Sequence, residues 1–328
     1  MEKRDPERFP HRSVGAGPLG RHRQLGRRVV AVIGVTTALA VLMPAPAKSL
    51  PLATDVVYKV TAGGVSIGLD IYLPSGPGPF PGLVIVHGGA FKAGGKGPCS
   101  TNCWSVEGER AASSGFAAFV IDYRLTCNPN NPPESVTSAD LCGYRWNPVK
   151  PHPRWVRPEP RAAVKDVHDA IAWVRANAGT YNVDADNVGV LGGSAGGNLA
   201  AMAGVTDDAV LYGDDKADAV AVWSPALLAI DPPLVTEVAY VGCEKMACPD
   251  EWTEAAPTIH VDPGDAPTYI ANSANELMPL SAAQDYAAAL TAAGVPNNLT
   301  VLPGKRHERR YEDSVWDETM AWLHSYLG

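Results

Sequence analysis

The sequence predicts an α/β protein built on a mostly parallel sheet of about eight strands flanked by helices, with an antiparallel hairpin at its start. Three observations predict it. Short runs apolar on both faces, such as residues 82–86 and 116–122, have the pattern of strands covered on both sides. Strand patterns alternate with helical ones from residue 161 onward, as crossovers between parallel strands require. The 328 residues are 46% apolar and 19% charged, which supplies a large core and excludes disordered, collagenous and multi-span membrane proteins.

The first segment stands apart. Residues 1–28 carry eight Lys or Arg against Glu2, Asp5 and Glu7, residues 29–43 run for 15 positions without a charge, and Pro44-Ala45-Pro46-Ala47 follows. A basic start, a short apolar run and an Ala-x-Ala site read as an export signal (1–47) cleaved after Ala47; a retained N-terminal anchor is the competing reading, for which 15 residues are few. Arg27-Arg28 leaves the twin-arginine route open. Residues 48–328 are then expected to form one secreted catalytic domain. Losing residues 1–47 leaves 19 basic against 32 acidic side chains, a net charge near −13. That surface repels nucleic acid and anionic lipid, so a neutral small-molecule or polymer-borne substrate is expected, with no nucleic-acid partner and no stable membrane insertion after cleavage. Oligomeric state is not encoded.

Six cysteines in an exported chain imply oxidised pairs, and spacing favours Cys99–Cys103, Cys127–Cys142 and Cys243–Cys248, with other connectivities open. Zinc is the competing reading of the closely spaced pairs, but no His stands at ligand spacing beside them.

Residues 55–61 and 65–72 alternate and are separated by Ala62-Gly63-Gly64, which reads as the hairpin. Residues 82–86 and 116–122 are covered strands. Between 126 and 160 lie eight prolines, Cys127, Cys142, Trp146 and Trp155 with no period, so a long loop excursion is expected. Val164, Val167, Ile171 and Val174 then mark one face of a helix from 161 to about 177, with Trp173 on or near the core side. Strands follow at 188–191, 219–223, 268–271 and 299–302, and helices at 195–203 and 282–292. Val315, Trp316, Met320, Leu323 and Leu327 stripe a terminal helix.

Gly192-Gly193-Ser194-Ala195-Gly196 matches G-x-S-x-G between a strand and a helix. Glycines around the serine let the backbone turn sharply and lift Oγ above the sheet, while the Ala195 amide at the helix start aims at a developing oxyanion. A second donor is expected from the loop after an earlier central strand, where His87-Gly88-Gly89-Ala90-Phe91 lies; Gly89 and Ala90 would supply the amides and His87 an orienting side chain.

With Phe119-Val120-Ile121-Asp122-Tyr123-Arg124-Leu125, the Val164-Lys165-Asp166-Val167 helix, Gly264-Asp265-Ala266-Pro267 and His307, these motifs closely resemble the α/β-hydrolase family. The resemblance is to its microbial carboxylesterases with a His-Gly-Gly loop, near the hormone-sensitive-lipase-like and the acetyl and feruloyl esterases. It implies an eight-stranded sheet with serine, acid and histidine on loops in that order, and no metal or organic cofactor.

Chain order also selects the base. His11 and His22 lie in the leader, and His87, His152 and His168 precede the serine. His260 precedes the strand that should deliver the acid, and His324 lies within the terminal helix; His307 sits in the loop between the last strand and that helix. The acid departs from the family pattern of an aspartate two residues before the apolar pair. Asn275 occupies that slot and Glu276 follows it in Asn275-Glu276-Leu277-Met278-Pro279; Glu276 is favoured as the sole carboxylate between strand and helix, with Asn275 as alternative. Asp262 and Asp265 read as turn formers.

The expected activity is a serine carboxylesterase acting on short-chain or aromatic acyl esters. A serine peptidase or arylformamidase on the same scaffold, or a weakly active hydrolase-like binding protein, are alternatives. Trp223, His87 and Phe91 are candidate pocket residues, as are Trp104, Trp146, Trp155 and Trp252 at loops and strand ends. Asn298-Leu299-Thr300 matches a glycosylation acceptor but is discounted on the composition.

Overall fold

The computed structural model describes residues 51–328 apart from 62–63, 65, 98–102, 127–159, 209 and 214. The expected leader 1–47, nearly all of the 126–160 excursion with Cys127, Cys142, Trp146 and Trp155, and Cys99 lie outside the described residues.

The alternating runs at the start form β1 (Ala53–Val60) and β2 (Ser66–Tyr72), paired antiparallel. The doubly covered runs form β3 (Phe80–Val86) and β4 (Ala117–Ile121), followed by β5 (Val183–Gly193), β6 (Val220–Trp223), β7 (Thr268–Ser273) and β8 (Asn297–Leu302). The sheet order is β1-β2-β4-β3-β5-β6-β7-β8. β2 pairs antiparallel with β4, and every pairing from β4 to β8 is parallel.

Helices α1 (Ser105–Ser113), α2 (Pro160–Ala176), α3 (Ala178–Tyr181), α4 (Ala195–Val205), α5 (Val235–Val241), α6 (Pro249–Glu254), α7 (Leu280–Ala292) and α8 (Glu312–Leu327) connect the strands. Side chains alternate across a strand, so each helix layer claims one parity. Val84 and Val86 of β3 pack with Val167 and Ile171 of α2, Leu199 of α4 and Tyr286 of α7. Leu83 and Ile85 pack on the other face with Ala111 of α1 and Val315, Trp316 and Leu323 of α8. Burying each such large side chain stabilises the fold by about 1.5–3 kcal/mol. The predicted α2 stripe is the buried one, and every residue of α4 is buried, which its small Gly and Ala side chains allow.

An ionic clamp ties α2 to the loop after β4. The Arg124 guanidinium reaches the fully buried Asp166 carboxylate through Nε at 2.8 Å and Nη2 at 2.8 Å, and the Arg124 amide donates to the same group at 2.9 Å. Lys59 of β1 adds a third cationic contact at 2.6 Å.

Cys243 and Cys248 form a disulfide, so their sulfurs are engaged with each other although Glu251 lies close by. Cys103 is also disulfide-bonded.

Candidate active site

Strands β3, β5, β6, β7 and β8 are consecutive neighbours, so the loops leaving their carboxyl ends lie side by side, where open α/β sheets form their sites. The residues singled out in the sequence are on these loops. Ser194 follows β5, Glu276 lies three residues beyond β7, His307 five beyond β8, and the His87-Gly88-Gly89 turn follows β3 directly.

Ser194 has φ 52° and ψ −117°, a conformation that a side chain makes costly. The surroundings impose it. The Ser194 amide donates to Trp223 O at 2.9 Å, and its carbonyl accepts from Asn198 N at 3.1 Å and Ala226 N at 2.9 Å. Gly196 is required by close approach, since a Cβ there would lie 2.2 Å from Val86 O. Four further non-glycine residues with positive φ border the same loops: Ala90 (57°), Phe91 (60°), Ser224 (47°) and Glu308 (38°). Strain concentrated in this way marks a functional region.

On the loop after β3, Gly89 has φ 121°, and a Cβ there would stand 1.9 Å from Ala93 O. Among the described residues, the amides of Gly89, Ala90 and Ala195 donate to no protein acceptor. They are available to a ligand oxygen. His87 is enclosed beneath this loop, stacked on Tyr123 at 4.3 Å. Its Nδ1 contacts Gly88 O at 2.6 Å, and a carbonyl only accepts, so Nδ1 carries the hydrogen. Burial pushes the ring down to about 4 against that bond, which keeps it neutral. Tyr123 donates to His87 O at 3.0 Å, so the Arg124–Asp166 clamp supports the turn from below.

The Glu276 carboxylate is fully enclosed and hydrogen-bonded to Nδ1 of His307. Its other oxygen accepts from Ser224 Oγ at 2.7 Å and from Ser273 N at 2.9 Å. Because a carboxylate accepts, Nδ1 of His307 bears the hydrogen and Nε2 of the neutral ring keeps its lone pair. Asn275 is exposed instead, its amide donating to Gly304 O at 2.9 Å. The extra methylene of glutamate makes up the one-residue offset from the usual acid slot.

The sequence reading missed the residues that hold this acid. Ser224 has one hydrogen, given to Glu276; its oxygen accepts from the Glu308 amide at 2.9 Å and stands 2.7 Å from the Tyr311 hydroxyl. Tyr311 also contacts Ala271 O at 2.9 Å, and burial holds its phenol far above the ordinary value, so it stays a donor. A serine directly after a central strand was the only available signal.

The expected pocket residues lie elsewhere. Trp223 is enclosed between Trp104 and Trp316 and donates to Thr319 Oγ1 at 3.1 Å; Phe91 stacks on Tyr240 at 3.7 Å; His87 is enclosed as described. Trp104 and Trp252 are likewise core. A strand residue ending in a doubly covered sheet points into a helix layer, and this removes Trp223 from solvent. The pocket beside His307, about 450 Å³, is lined by Leu277, Lys305, His307, Glu308, Arg309 and Arg310. Of the other histidines described, His168 contacts Thr206 and Asp215, His260 contacts Glu254 O, and His324 contacts Ser114 O.

An eight-stranded sheet of this order, with a strained serine after β5 and an acid–histidine pair after β7 and β8, is the architecture of the α/β-hydrolase fold. The chain is similar to esterases that have this fold. The BD-FAE family model matches residues 153–222. Esterase LipC of Mycobacterium tuberculosis is 30% identical over 196 residues, which is 54% of this chain and 39% of LipC, so the chain spans well under half of that relative. Two solved structures share the fold. A truncated carbohydrate esterase from gut microbiota has TM-score 0.64 at 20% identity, covering 86% of this chain and 98% of that one. Thermogutta terrifontis esterase 2 phosphonylated by sarin has TM-score 0.61 at 20% identity, covering 84% and 93%.

Proposed function

We propose that the chain is an exported serine carboxylesterase acting on short-chain or aromatic acyl esters through an acyl-serine intermediate. One observation carries the reading: an enclosed carboxylate fixes the tautomer of His307 at the rim of a site containing a strained serine and three undonated amides. The chain's similarity to an esterase and to a carbohydrate esterase supports the same chemistry.

In this mechanism Ser194 Oγ adds to the ester carbonyl carbon while its proton passes to Nε2 of His307. Charge forming on the carbonyl oxygen is met by the amides of Gly89, Ala90 and Ala195. The carbon–oxygen bond to the alcohol breaks as His307 returns the proton to the leaving oxygen. Water then adds to the acyl carbon with His307 again taking the proton, and Ser194 recovers it as the acid departs. Glu276 stays ionised throughout and stabilises the imidazolium.

The test is hydrolysis of 4-nitrophenyl butyrate beside the corresponding anilide. The wild type is expected to cleave the ester and Ser194→Ala to lose about 10⁴-fold or more in kcat. Undiminished turnover by Ser194→Ala, or preference for the anilide, contradicts the reading.

A further inference from the structure

The net charge of the chain favours neutral substrates, yet the pocket beside His307 has the opposite local character. Residues 305–310 read Lys-Arg-His-Glu-Arg-Arg, four cations to one acid in a chain of net charge −8. Arg309 is engaged by the buried Glu107 and lies 3.7 Å from Glu312. Lys305 and Arg310, by contrast, are exposed and have no ion pair among the described residues; Arg306 between them is exposed and reaches only the Arg310 carbonyl, at 3.4 Å. Elsewhere Lys59, Lys96, Arg124, Arg175 and Lys216 each lie on a carboxylate.

The two acids near this wall, Glu276 and the lining residue Glu308, are both largely enclosed. Glu276 is enclosed on His307, Ser224 and Ser273. Glu308 is 8% exposed, and its Oε2 lies 2.9 Å from where a Cβ on Gly193 would stand, next to the serine-bearing turn. The open wall therefore presents uncompensated positive charge, with Leu277 as its apolar part. A cleft lined by one sign of charge concentrates the opposite sign, and the guanidinium fork of Arg310 matches a carboxylate.

We infer that this pocket receives a carboxylate carried by the ester substrate, in its acyl or its alcohol part, a few bonds from the scissile carbonyl. The inference rests on the serine-esterase reading and specifies its substrate class. The experiment compares kcat/KM for two pairs: 4-nitrophenyl hydrogen adipate against its methyl ester, and 4-acetoxybenzoate against its methyl ester. In one pair the carboxylate form is expected to be preferred about five- to tenfold at low salt, with the preference shrinking toward unity in 0.5 M NaCl. In the Lys305→Gln/Arg310→Gln double variant the preference is expected to fall at least about fivefold. The pair that responds assigns the carboxylate to the acyl or the alcohol side. Equal or better turnover of the neutral member in both pairs, or a preference insensitive to the double substitution, overturns the inference while leaving the esterase reading intact. No turnover of any of the four esters overturns both.

Discussion

Glu276 bears the account at the scale of single residues, because its two oxygens divide the work: one orients His307 and the other is held by Ser224 Oγ and Ser273 N. Glu276→Gln is expected to lower kcat on a short acyl ester by about 10³-fold or more, as an amide can hold the ring but stabilises the imidazolium poorly. Asn275→Ala, at an exposed side chain, should change kcat less than about threefold. Ser224→Ala removes a hydrogen bond to a charged group and should cost about tenfold in kcat/KM, with Ser224→Thr restoring part of it. Steady-state kinetics on the four proteins checks all three statements. Ser194 and His307 are legible in sequence because a motif and chain order single them out. Ser224 and Tyr311 are not, because a hydroxyl acquires its role only when β6, β7 and the loop after β8 meet. Glu276 was legible, and favoured over Asn275, as the sole carboxylate in its segment, while its contacts with His307, Ser224 and Ser273 needed the geometry.

Among elements, the start of α4 and the end of β3 are in close contact at the site. A Cβ on Gly196 would fall 2.2 Å from Val86 O and 2.5 Å from His87 O, so Gly196→Ala must push α4 away from the amide-bearing loop. The expected cost is about 2 kcal/mol or more of stability, with ester turnover falling further than the folded fraction. Gly179 in α3 has nothing within 4 Å of its Cβ position, so Gly179→Ala should stabilise by about 0.5 kcal/mol. Urea unfolding of both variants reads the contrast. The strands and helices α2 and α8 could be read from their apolar patterns, because burial on one or both faces writes itself into the sequence, whereas α4 and α7 were legible from their content of helix-forming residues. Helix α1 could not: it buries Glu107 and Gly108 against Arg309 and Tyr72, a charged and a side-chain-free position where a period would need apolar ones. The short α5 and α6 span too few turns for any period to register.

Across the whole molecule, buried histidines give the fold a defined response to acid. His87 and His168 are each 1% exposed, and burial pushes each down to about 4 from an ordinary 6.5. Above about pH 6.5 neither the folded nor the unfolded chain protonates them, and their full contribution is present. As pH falls from about 6.5 to about 4 the unfolded chain binds protons the folded chain refuses, so stability declines by about 1.4 kcal/mol per pH unit per histidine. Glu107 has the opposite sign. Burial and the hydrogen bond with Glu312 push it up to about 8 against the pull of Arg309, so the folded chain takes that proton first and gains stability as pH falls below 8. The variant comparison isolates the histidine part: in His168→Gln the loss of stability between pH 6.5 and 5 should shrink by about 1–2 kcal/mol, read as the shift in urea midpoint. An unchanged slope would contradict the burial of a neutral ring at that position.

The claim beneath all of this is that Ser194 Oγ is an activated nucleophile facing a preformed set of amide donors. Treatment of the folded protein with a fluorophosphonate, followed by peptide mass spectrometry, tests it most directly. A single adduct on the peptide containing Ser194, lost in His307→Ala, is the predicted result. No adduct on protein whose circular dichroism is intact, or an adduct on another residue, would contradict it.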